Sequence, residues 1–79
     1  MSAIEFKATL QMLVPMLIQI IIGKKGISAV PAIKLLYVSQ LYEKLEKEST
    51  KLWHLSPYAL YELLEMEIQT GKIIFPTEA

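Results

Sequence analysis

Residues Leu10–Ile22 read LQMLVPMLIQIII, and this stretch decides the fold. Its only polar side chains are Gln11 and Gln19, and Pro15 stands near its middle. Such a run must be hidden from water by a core, a partner chain or a membrane. A membrane span needs about 20 apolar residues. This run is shorter and carries two glutamines, so a soluble helix is the expected form.

Placed on a helix at about 100° per residue, Phe6, Leu10, Leu13, Leu17 and Ile20 form a continuous seam, with Val14 and Ile21 on its flanks. Pro15 falls roughly opposite. A mid-helix proline removes one backbone hydrogen bond and costs about 3 kcal/mol. Each large apolar side chain buried returns about 1.5–3 kcal/mol, so five seam residues outweigh it once something covers them. The ring then lies on the convex side of a helix bent around a core. Met12, Met16, Ile18 and Ile22 lie off the seam. They are the candidate interface residues, because methionine adapts well to partner surfaces.

The flanks of the run set its ends. Ser2-Ala3-Ile4-Glu5 matches the reciprocal capping box, in which Ser caps the third amide and Glu reaches back. The first helix is expected over Ala3–Ile22, with Gly23 as a left-handed stop. A second helix is expected from Ser28 to about Lys47 or Glu48. Its later half is amphipathic, with Val38, Leu41, Tyr42 and Leu45 on one face. Ser56-Pro57 starts a third helix, since serine caps and proline loses no needed bond at the first position. That helix runs to Thr70, and Gly71 ends it. Leu52–Leu55 and Ile73–Phe75 read as short extended segments that can pair as a minor two-stranded feature. The expected architecture is therefore a single all-α domain over residues 1–79 with three helices.

With 79 residues, the chain buries only about 60% of the surface it exposes when unfolded. Apolar residues nevertheless make up 53% of it. That surplus favours self-association, so a homo-oligomer or a complex with another protein is expected.

Eight lysines balance eight acidic residues, all glutamate, and Arg, Asp, Asn and Cys are absent. Without Arg the chain lacks the usual reader of phosphate and guanine. The third helix carries Glu62, Glu65 and Glu67 and no basic residue, so nucleic acid is not an expected partner. Without Cys there is no disulfide framework, which fits a cytoplasmic location. No secretory signal is expected, because Glu5 offsets Lys7 and Lys24-Lys25 follow the apolar run.

Enzymatic chemistry is not expected either. The chain has a single His, whereas a metal centre needs three or four ligands, and there is no phosphate loop or dinucleotide fingerprint. No cofactor is implied. Glu67 is conspicuous because it falls inside the Leu60–Leu63–Leu64–Ile68 arc of the third helix. An acid near a helix C-terminus is disfavoured by the dipole and needs a partner. His54, a Tyr hydroxyl, Lys72 and backbone amides of the Glu48–Leu55 connector are the candidates, and a His54–Glu67 tether is the expected form.

Trp53 and the four tyrosines collect near the second and third helices, where aromatic side chains form core edge or line a small-ligand pocket. Three readings follow: an interaction module, a membrane-surface protein using Leu10–Ile22, and a ligand-pocket protein.

From Tyr37 onward the chain resembles a group of small uncharacterised bacterial proteins, mostly from Gram-positive genomes. The resembling stretches are Tyr37–Leu45, Thr50–Pro57, Leu60–Leu64 and Glu67–Lys72. The resemblance implies no activity, ligand or catalytic residue. It marks the Trp53–Lys72 unit as a shared feature.

Overall fold

A computed structural model describes residues 2–71. It is all-α, with four helices: α1 (Ala3–Lys25), α2 (Ala29–Tyr37), α3 (Gln40–Leu45) and α4 (Pro57–Thr70). Two 3₁₀ turns, Glu48–Thr50 and Leu52–His54, join α3 to α4.

Local caps set most helix ends. Ser2 and Glu5 form both bonds of the capping box at the start of α1. The Ser56 hydroxyl accepts the Ala59 N–H at 3.1 Å, and Pro57 opens α4. Gly71 closes α4 in the left-handed region with φ 77°. Gly23 does not stop α1. The helix continues through Lys24 and Lys25 to Gly26, whose φ of 66° makes the cap. The last turn thus carries two lysines where the dipole favours them.

The expected second helix is two helices, because the chain turns at Val38 and Ser39. Ser39 is buried, donates its hydroxyl to the Leu36 carbonyl, and accepts the Tyr42 N–H at 3.0 Å. It therefore closes α2 and opens α3 with one side chain. α3 ends at Leu45, before Lys47 can continue the amphipathic face.

The expected extended segment at Leu52–Leu55 is also helical. Leu52–His54 is a 3₁₀ turn entered through Lys51, which has φ 58°. The Trp53 indole N–H donates to the Glu48 carbonyl at 2.9 Å and holds this turn against the one before it. The segment expected to pair with it, Ile73–Phe75, lies outside the described residues.

Among the described residues, ten side chains form the core: Leu17 and Ile21 of α1, Ala32 and Leu36 of α2, Leu41 and Leu45 of α3, Leu52, and Leu60, Leu63 and Leu64 of α4. The face of α1 that packs inward differs from the expected seam. Leu10, Leu13, Val14, Ile18 and Ile22 pack around the core, whereas Phe6 and Ile20 stay outside it. The reason is α2. After the tight Gly26 turn it returns along the Ile18–Ile22 side of α1 and draws that side inward.

Both buried residues of α1 lie in its C-terminal half. At 1.5 Å per residue α1 is about 34 Å long and α2 only about 14 Å. The molecule measures 35 × 26 × 18 Å, so α1 spans its long dimension. The N-terminal half of α1 therefore extends past the end of α2.

Candidate functional site

The overhang of α1 creates two surfaces on its opposite flanks. The first is its outward face. From Ala8 to Gly23 there is no charged residue, yet Met12 and Met16 are exposed to 69% and 51%. Phe6, Leu13 and Ile20 are half-buried beside them. Of the four candidate interface residues, the structure leaves Met12 and Met16 free for a partner and commits Ile18 and Ile22 to the edge of the core. By length and composition alone, α1 is also long and apolar enough to cross a membrane.

At its C-terminal end this face meets Tyr58 of α4. Tyr58 lines a hollow of about 460 Å³ with Gln19, Ile20, Gly23 and Lys24. The Lys24 ammonium stands 6.0 Å from the Tyr58 ring centroid, within cation–π range. Beside it, Lys25 and Glu65 form an ion pair at 2.6 Å that ties α1 to α4. The Tyr61 hydroxyl donates to Glu65 at 3.2 Å, and Gln69 donates to its other oxygen at 2.9 Å. Lys25 first, then Gln69, holds the Glu65 carboxyl below its ordinary value. The same pair raises Lys25. Burial, then the charge of Glu65, raises Tyr61.

The second surface is a groove beneath the overhang, with a volume of about 300 Å³. Leu10 and Val14 form its α1 side, and Tyr37 and Tyr42 stand across from them. The two rings stack, with centroids 4.6 Å apart and planes 19° from parallel. Tyr37 ends α2 and Tyr42 lies in α3, so the break at Ser39 brings them together. Burial, with Glu46 and Tyr37 adding to it, pushes the Tyr42 phenol up to about 12. Lys7, Gln11 and Pro15 complete the rim.

The polar tether is real but differently connected. The Glu67 carboxylate accepts the N–H of Gln40 at 2.8 Å and of Leu41 at 3.1 Å. It caps the N-terminus of α3, not the Glu48–Leu55 connector. His54 is exposed, with its ring edge-on to Trp53 at 6.0 Å, and is no part of this contact. An acid disfavoured at the end of its own helix is thereby placed at the favourable end of another.

The aromatic residues do not form one pocket. Trp53 packs at the core edge and against the first 3₁₀ turn, away from the lining of the groove. The sequence gives no direct sign of the groove, because Tyr37 and Tyr42 are five apart and share no face of a continuous helix. Among the described residues no three His, Cys, Asp or Glu side chains converge in a way that can hold a metal ion. The surfaces offered are thus an apolar face and a groove, both suited to binding. Compared with protein families, curated proteins and solved structures, the chain matches none.

Proposed function

We propose that this protein is a non-enzymatic interaction module that pairs with a second copy of itself through the outward face of α1. The supporting observation is the exposure of Met12 and Met16 in the middle of a 16-residue charge-free stretch. Contiguous exposed apolar surface of this kind marks an interaction site.

A second copy suits the face better than a charged partner. The face carries no charge to be matched, and the chain is neutral overall, so two copies do not repel. A two-fold pairing presents the same patch from both sides. If the two α1 helices run antiparallel with Met12 of one copy against Met16 of the other, Glu5 of each comes level with Gly23 of its partner, one residue from Lys24. That register places opposite charges at both ends of an apolar centre.

The area sets the strength. A standard interface buries about 800 Å² per partner, and one helix face about 34 Å long and 10 Å wide supplies roughly half of that. Tyr58 extends the patch, and the association belongs in the micromolar class.

Light scattering on a size-exclusion peak tests this reading. The dimer is expected at about 100 µM, a concentration well above a micromolar Kd. Met16→Lys removes it, and in dilute solution, where both proteins are monomers, its Tm equals that of the native chain, since the position is exposed and Lys and Met have similar helix propensity. A monomer for the native chain at that concentration overturns the pairing. Binding of that monomer to lipid vesicles then assigns the face to a membrane surface.

A further inference from the structure

We infer that the groove between α1 and the Tyr37–Tyr42 pair is a binding site for a small amphiphilic carboxylate, an acid group on a short aryl-alkyl or alkyl body. The inference does not rest on the dimer, because the groove lies on the opposite flank of α1 from Met12 and Met16.

The groove follows from the lengths of the helices. α2 is too short to cover α1 beyond Tyr37, and the turn at Ser39 swings α3 aside and leaves Leu10 and Val14 facing the two tyrosines. These two residues lie on the same face of α1 as Leu17 and Ile21, which are fully buried one and two turns further on. The core-facing stripe of α1 therefore runs out into the groove and gives it an apolar floor. The volume of about 300 Å³ lies at the small end of the range for ligand pockets.

Two polar features of the rim set the ligand's chemistry. Lys7 is the charged side chain among the lining residues, so the groove offers one cation and no lining carboxylate. Pro15 has no N–H, so the Gln11 carbonyl lacks the donor four residues on that a helix otherwise supplies. Lys7, Gln11 and Pro15 follow one another at four-residue spacing and share one edge. Along that edge Lys7 and Pro15 are about 12 Å apart. An anion fits the Lys7 end, and an apolar body of that length fits along Leu10 and Val14 toward Pro15. The stacked tyrosine rings form the opposite wall, and Glu46 beside the Tyr42 hydroxyl leaves the Lys7 end as the one that takes the acid. Apolar lining with a few convergent polar groups is the usual composition of a small-molecule site.

The test uses the full chain and two probes of equal shape, 4-phenylbutyrate and the neutral 4-phenyl-1-butanol, each titrated into ¹⁵N-labelled protein. Saturable amide shifts are expected at Lys7, Gln11, Val14, Tyr37 and Tyr42 with the carboxylate. The alcohol binds about tenfold more weakly, the worth of one charge-assisted hydrogen bond. Lys7→Gln lowers carboxylate affinity to that of the alcohol and leaves Tm unchanged, as Lys7 is exposed. Three results each overturn the inference: no saturable shift at these residues at millimolar probe, equal binding of the two probes, or full carboxylate affinity in Lys7→Gln. Shifts confined to Met12, Met16 and Tyr58 also overturn it and place the probe on the outward face.

Discussion

Ser39 and Glu67 divide the first amides of α3 between them. Ser39 takes the Tyr42 N–H at 3.0 Å, and Glu67 takes those of Gln40 and Leu41 at 2.8 and 3.1 Å. The Ser39 carbonyl accepts the Glu43 N–H at 3.4 Å. A six-residue helix thus has every N-terminal donor satisfied, three of the four by side chains. Isolated helices this short are unstable in water, so α3 depends on these caps and on burial of Leu41 and Leu45.

Glu67→Ala is therefore expected to cost about 1–2 kcal/mol, the usual cost of losing an N-cap. In a chain of this size that lowers Tm by roughly 4–8 °C per kcal/mol. Glu67→Gln keeps an acceptor but loses the charge, and lies between the two. Melting followed by far-UV circular dichroism checks the order, and an unchanged Tm for Glu67→Ala refutes the capping role.

Ser39→Ala and Glu67→Ala act on one helix end and are not additive. Once either cap is lost the end frays, and removing the second costs less. A coupling of about 0.5–1 kcal/mol is expected from a double-mutant cycle in urea. Strict additivity means that the two caps work independently.

Tyr42 predicts loss of stability at alkaline pH. Its folded value is raised to about 12 from an ordinary 10, so the neutral phenol is favoured by folding. The contribution is whole below pH 10 and is lost as pH rises from 10 to 12. Tyr42→Phe keeps the ring and removes the titration, so its Tm falls less steeply across this window than that of the native chain. Parallel profiles for the two proteins exclude Tyr42 as the source.

Lys25 and Glu65 predict the opposite limb. The Glu65 carboxyl is depressed below 4.5, so its contribution is present above that pH and is lost as pH falls below it. Lys25→Met loses stability at pH 7, and the difference from the native chain closes below pH 4.5. Added salt narrows it at neutral pH as well, since both side chains are partly exposed. A difference constant from pH 7 to pH 3 contradicts the assignment.

What was readable in the sequence is what depends on neighbours in the chain. The Ser2–Glu5 capping box, the Ser56-Pro57 start and the Gly71 stop act across three or four residues, and their chemistry is the same wherever the helix lies. The all-α class and the burial of Leu17, Leu41, Leu45, Leu60, Leu63 and Leu64 follow from helical spacing in the same way. Pro15 inside α1 was legible as an exposed position, but it stands on the rim of the groove beside the packed face and not opposite that face.

What the tertiary structure decided depends on residues distant in the chain. The break after Tyr37 is stabilised by a carboxylate 27 positions beyond Gln40, and no local pattern announces it. The rotation of α1 toward Ile18 and Ile22 follows from the side on which α2 returns. A helix apolar on nearly every side has no preferred inward face until its neighbours choose one. Leu10–Ile22 alone therefore fixes that there is a long apolar helix. The fold assigns Ile18 and Ile22 to the edge of the core, Met12 and Met16 to the outside, and Leu10 and Val14 to the groove, because only there is each side chain's surrounding surface defined.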